Sequence, residues 1–154
     1  MKLKLTKTDR LIVNAAAKTL SRPALHCVHL TKGRIEAANG FLLMERKIDY
    51  TGEDALLDIS DIAQDKGEVI DIIPRIGISF PDTKALYPTT KPVFKIALSK
   101  GQVMAALKCF REGEEVVKFT FYKIDSPVKI ESIDGEVKGL IMPMQVSWRL
   151  NNGK

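Results

Sequence analysis

The sequence predicts one α+β domain built from two strand–helix–three-strand units, with the helices on one face of antiparallel sheets. Two stretches, 1–50 and 93–146, run through the same order: an alternating apolar segment, a helical period, then three more alternating segments. Each helix opens on a capping-box spacing, Thr6-x-x-Asp9 and Ser99-x-x-Gln102. The chain has 154 residues, 45% of them hydrophobic, which suits one globular domain that buries a core without disulfides or metals.

In the first unit, Leu3 and Leu5 alternate with polar residues over 2–6, as in a strand. A helix is expected to follow as far as Leu20. At about 100° per residue, Ile12, Val13, Ala16 and Leu20 share one of its faces, and Lys7, Arg10, Asn14 and Lys18 share the opposite one. Ser21-Arg22-Pro23 ends it, because proline cannot continue the hydrogen-bond ladder. Strands are expected at 26–30, 34–38 and 41–48, with turns at Lys32-Gly33 and Asn39-Gly40; the second is the stronger hairpin signal.

The second unit opens with a strand at 93–98 and a helix running to Arg111, stopped by Glu112-Gly113. Its apolar side is Val103, Leu107 and Phe110, and Lys100, Lys108 and Arg111 lie in the sector beside it. Strands at 115–123, 128–132 and 137–144 follow, turning at Asp125-Ser126-Pro127 and Asp134-Gly135. Residues 51–92 read as a connector. It is acidic at first, with short strands at 55–59 and 68–73, and is then punctuated by Pro74, Pro81, Pro88 and Pro92. The tail, 147–154, is polar apart from Trp148, which is placed either to pack back or to mark a contact surface.

The net charge of +5 is unevenly spread. Residues 1–50 hold ten Lys/Arg against four Asp/Glu, residues 51–90 three against eight, and residues 91–154 eleven against seven. The basic residues on both helices suit a polyanion, and nucleic acid is the expected one. No apolar run is long enough to cross a bilayer, and the first residues alternate polar and apolar instead of forming a signal peptide. A cytoplasmic protein that makes no membrane contact is expected, with Cys27 and Cys109 as free, buried thiols.

Little in the sequence supports catalysis. His26 and His29 are three residues apart on an expected strand, so they point to opposite faces and cannot chelate one ion. There is no Gly-rich phosphate loop, nucleophile elbow or zinc-protease helix. Glu53, Asp54, Asp58, Asp61 and Asp65 lack the glycine and terminal glutamate of a calcium loop, and are expected to form a solvated, charged surface. The expectation is a non-enzymatic protein with no catalytic residues, no metal site and no cofactor.

Three pieces of sequence carry a resemblance. The C-terminal unit reads Ala105-Ala106-Leu107-Lys108-Cys109, then Ser126-Pro127-Val128-Lys129-Ile130, then Gly139-Leu140-Ile141-Met142-Pro143-Met144-Gln145-Val146. This resembles the end of the bacterial DNA polymerase III beta subunit, the sliding clamp, whose last strand closes on a similar Met-Pro-Met motif. Ser79-Phe80-Pro81-Asp82 with Leu86-Tyr87-Pro88 resembles the linker before that family's third domain. Asn39-Gly40-Phe41-Leu42-Leu43-Met44-Glu45-Arg46 is similar to a stretch of its middle domain, with Asn39 and Phe41 where the family has an acidic residue and a histidine.

The resemblance implies a single DNA-clamp-like domain, a short relative of a family whose subunits have three. It implies a DNA replication or repair accessory protein that contacts the backbone of double-stranded DNA through Lys7, Arg10, Lys18, Lys100, Lys108 and Arg111. It also implies a pocket for short peptides of DNA polymerase or other clamp-binding proteins, carried over onto Ala38, Leu43, Pro81, Leu86, Leu140 and Met142. A closed ring would need a homo-oligomer of about six copies, and a monomer or dimer fits the sequence equally well. The alternative is an interaction module that binds such peptides without encircling DNA.

Overall fold

A computed structural model describes residues 2–64, 69–71 and 73–147. They form mixed helix and antiparallel sheet, and the chain divides into two compact units, 1–88 and 89–154.

The first unit is organised around a four-stranded sheet. Strand β1 (Lys2–Lys4) leads to a 3₁₀ segment, Asp9–Ala15, and a second one at Pro23–His26. Then come β2 (Cys27–Thr31), β3 (Arg34–Ala38), β4 (Leu43–Lys47), β5 (Ala55–Asp58), helix α1 (Ile59–Gln64), β6 (Val69–Asp71) and a 3₁₀ turn at Lys84–Leu86. The sheet order is β4-β3-β2-β5, and β1 pairs separately with β6. Gly33 and Gly40 hold φ of 76° and 96°, the left-handed backbone that the two expected turns require. Leu3, Leu5, Ile12, Ala15 and Ala16 cover one sheet face, burying Val28, Leu30, Ile35, Ala37 and Leu57, and Ile62 of α1 closes the cluster.

The expected helix over 6–20 is corrected. Its capping box forms: Thr6 N–H donates to Asp9 Oδ2 (2.9 Å), and Asp9 N–H donates to Thr6 Oγ1 (3.1 Å). The segment is nevertheless 3₁₀ and ends at Ala15, with Ala16 extended. The cause lies in tertiary partners. Ala17 N–H donates to the Leu25 carbonyl (2.8 Å), and His26 Nδ1 donates to the Ala17 carbonyl (2.8 Å), so neither group is left for an intrahelical bond. Leu20 is therefore exposed instead of buried, and Pro23 begins a 3₁₀ turn instead of ending a helix.

The stretch expected to be a connector completes this unit. Strand β5 adds to the sheet against β2, and α1, which the sequence reading missed, seals one end of the core. Arg75 forms an antiparallel bridge with Leu56.

The second unit contains β7 (Ala97–Leu98), helix α2 (Lys100–Leu107), β8 (Val117–Thr120), β9 (Val128–Ser132), β10 (Lys138–Ile141) and β11 (Pro143–Met144). Its sheet runs β10-β9-β8, and β11 pairs with β7. The expected strand over 137–144 is split before Pro143, whose missing N–H cannot extend the ladder. Ser99 caps α2 by accepting from Gln102 N–H (3.4 Å). The helix stops at Leu107, four residues short of Arg111, and the next turn tightens through Cys109 N–H to Ala106 (3.0 Å) and Phe110 N–H to Leu107 (3.3 Å). Among the described residues of this unit the buried hydrophobic ones are Val128, Ile130 and Ile141, and none belongs to α2. Cys27 is buried as expected; Cys109, on the turn after α2, is exposed instead of buried. Trp148 and Asp65 lie outside the described residues.

Candidate functional site

The hairpin β3–β4 sets the first pair of candidate pocket residues. Asn39 Oδ1 accepts the N–H groups of Phe41 and Leu42, both at 2.9 Å, closing the turn. This makes Ala38 and Leu43 cross-strand partners, on the sheet face away from the core cluster. On the same face the strap 73–84 contributes Pro81, which lines a recess of about 400 Å³ with His29, Glu36 and Thr83. Ala38 and Leu43 are not part of that lining. Leu86, on the following 3₁₀ turn, is 65% exposed. In the second unit Met142 lines a recess of about 470 Å³ with Ile96, Ala97, Ile124, Met144 and Val146. Leu140 lies outside it, opposite Lys129 in the β10–β9 register. Leu140 and Met142 are 66% and 64% exposed, so neither belongs to a core.

The basic candidates divide differently. Lys7 and Lys18 are exposed but flank the 3₁₀ segment instead of riding a helix. A 3₁₀ segment has three residues per turn, so Arg10 eclipses Val13, not Asn14, and the expected stripe does not form. Arg10 Nη1 donates to the Ile62 carbonyl (3.3 Å), which ties it to α1. Lys100 and Lys108 are exposed at the two ends of α2. Arg111 lies beyond the helix and pairs with Glu136 and, at 3.7 Å, with Asp134.

Two carboxylates are buried on the far face of the first sheet: Glu36, which the sequence did not single out, and Asp58, expected on a solvated surface. Glu36 Oε2 accepts from Thr83 Oγ1 (2.7 Å), and Glu36 Oε1 is 2.8 Å from Nδ1 of His29, whose ring lies tilted against Phe80 with centroids 5.0 Å apart. Asp58 Oδ2 accepts from Arg75 Nη2 (2.6 Å), while its Oδ1 accepts from Ser60 N–H (2.9 Å) and lies 3.7 Å from His26 Nε2. These two anchors fasten the strap across the sheet. Asp58 is therefore not part of a solvated loop, as expected, but a buried pin. Burial alone would raise its carboxyl; hydrogen bonds from Ser60 and Arg75 and the guanidinium charge outweigh that and hold it below the usual carboxylate range. The same burial, with the Asp58 charge beside it, pushes the Cys27 thiol up, which makes it a poor nucleophile. The available signals were faint: Glu36 set between Ile35 and Ala37, and Arg75 isolated in an apolar stretch.

Among the described residues, no group of three or more His, Cys, Asp or Glu side chains is arranged to hold a metal ion. No helix among them is long and apolar enough to cross a membrane.

No protein-family model matches the sequence, and no curated protein matches it. Among solved structures the chain is similar to the DNA polymerase III beta subunit of Thermotoga maritima, at 16% identity and a TM-score of 0.44. The match covers 96% of this chain and 65% of that one, so the chain spans less than two thirds of that protein's length.

Proposed function

We propose that this chain is a non-enzymatic, clamp-like accessory protein of DNA replication or repair that receives short peptides from partner proteins such as a DNA polymerase. The observation that carries this reading is the recess beside β11. The Met-Pro-Met segment puts Met142 and Met144 into an open, mainly apolar hollow with Ile96, Ile124 and Val146, edged by Lys95 and Asp125. Methionine side chains there can repack around peptides of different shape.

The test is fluorescence anisotropy with a labelled clamp-binding peptide taken from a replicative polymerase. Saturable binding is expected, weakened by about tenfold or more in Met142→Glu, since a charge in an apolar pocket costs at least about 1.4 kcal/mol. Met142 is exposed, so circular dichroism of the variant should match the parent. No saturable binding, or an unchanged affinity in Met142→Glu, rejects the reading.

A second reading is backbone contact with double-stranded DNA, which the exposed Lys7, Lys18, Lys100 and Lys108 favour. A clamp that encircles DNA would assemble as a homo-oligomer, whereas an interaction module would keep a monomer mass across a concentration series.

A further inference from the structure

The second unit's three-stranded sheet has one face that neither the peptide recess nor the helix uses. Cross-strand register places Lys118, Glu131 and Lys138 in one row across β8, β9 and β10. Thr120, Lys129 and Leu140 form the next row on the same face, two residues along each strand. Val128, Ile130 and Ile141 are buried on the opposite face, so the lysine face is the outer one. Two of the three lysines pair with the one carboxylate. Lys118 Nζ lies 2.9 Å from Glu131 Oε1, and Lys129 Nζ pairs with Oε2. Hydrogen bonds from Lys129 and Lys118 bring the Glu131 carboxyl down to about 2, as expected in a locally positive field. Two residues past Thr120, just beyond the end of β8, comes Tyr122, whose side chain is 61% exposed.

We infer that this outer sheet face binds single-stranded nucleic acid, with Lys118, Lys129 and Lys138 meeting backbone phosphates and Tyr122 stacking on a base. The charge on the six-residue face is +2 after Glu131 is counted, and a polyanion complements it. Neighbouring strands about 4.8 Å apart spread the cations over a nearly flat surface, which an unpaired strand can follow. The cations are all lysines, point charges that can meet phosphate oxygens. An exposed aromatic ring beside such lysines is the usual platform for an unstacked base. None of the six residues lines the peptide recess, so this inference does not depend on that one.

The test uses the full chain and a labelled oligothymidylate, followed by anisotropy over a salt series, with a duplex of equal length and anionic phospholipid vesicles as rival probes. Changing Lys118, Lys129 and Lys138 together to Gln should weaken binding by about tenfold or more and lower the salt slope by about 0.7 per lysine. Tyr122→Ala should weaken it by about tenfold, one stacked base's worth. Glu131→Gln should strengthen it several-fold, because the one negative charge on the face is removed. The inference is overturned if the lysine triple variant binds as the parent does, or if Glu131→Gln fails to tighten binding. It is equally overturned if the duplex or the vesicles bind more tightly than the single strand.

Discussion

The two units begin with nearly the same elements in the same order, yet they bury them to very different extents. In the first, a strand and a 3₁₀ segment sit against the β4-β3-β2-β5 sheet, and Leu57 of β5 and Ile62 of α1 close the cluster. In the second, α2 contributes no buried residue, and Phe119, Phe121, Met104 and Leu107 remain partly open to solvent. The difference comes from the segment after the third strand. The first unit continues into β5, α1 and a strap pinned by Glu36 and Asp58, whereas in the second β11 turns back to pair with β7. A strand–helix–three-strand order thus makes a frame, and an enclosed core needs further elements to cover it. The open unit is also the one that displays the Met142 recess and the lysine face, surfaces that a closed core would have consumed.

The contrast can be tested directly. The largest effect is expected in the first core: Leu30→Ala or Ile35→Ala should cost about 2–5 kcal/mol, read as a lower urea midpoint by circular dichroism. Leu107→Ala on α2 should cost only about 0.5 kcal/mol, as a partly exposed side chain would. Equal losses at the two places would break the comparison.

Asp58 gives the next largest effect. Its carboxyl is held low in the folded chain, so its stabilisation is complete above the unfolded carboxylate value, about 3.9, and is lost as pH falls through the lower folded value. Asp58→Asn should lower stability at neutral pH by about 1–2 kcal/mol and lose less on acidification below about pH 4. Parallel stability-versus-pH curves for parent and variant would show that the pin contributes nothing. The smallest effect sharpens the picture of the second unit. Ser99→Ala should cost α2 about 1 kcal/mol, visible as faster amide exchange over 100–107 with no change over 27–38.

Much of the fold was legible because it is local. Strands at Arg34–Ala38 and Val128–Ser132 matched their alternating runs residue for residue, and both capping pairs formed. The helix over 6–20 was misread because its amphipathic period was genuine but its backbone had better partners elsewhere. Leu25 and His26, eight and nine residues on from Ala17, claim both hydrogen-bonding groups of that residue. The site was less legible. The turn at Asn39-Gly40 was legible, but the Ala38–Leu43 register it produces was not, and exposure, which decides whether Leu140 or Met142 is core or surface, is not a local property.

By itself, then, the sequence determined what neighbours in the chain settle between themselves: turn positions, caps, strand alternation and the order of elements. Tertiary structure decided where charge is buried and what it holds. Arg75 meets Asp58 from 17 residues away, and Thr83 meets Glu36 from 47. A carboxylate reads the same in a sequence whether water or a guanidinium solvates it. Only the folded chain supplies the second, and with it the strap that closes one unit while the other stays open.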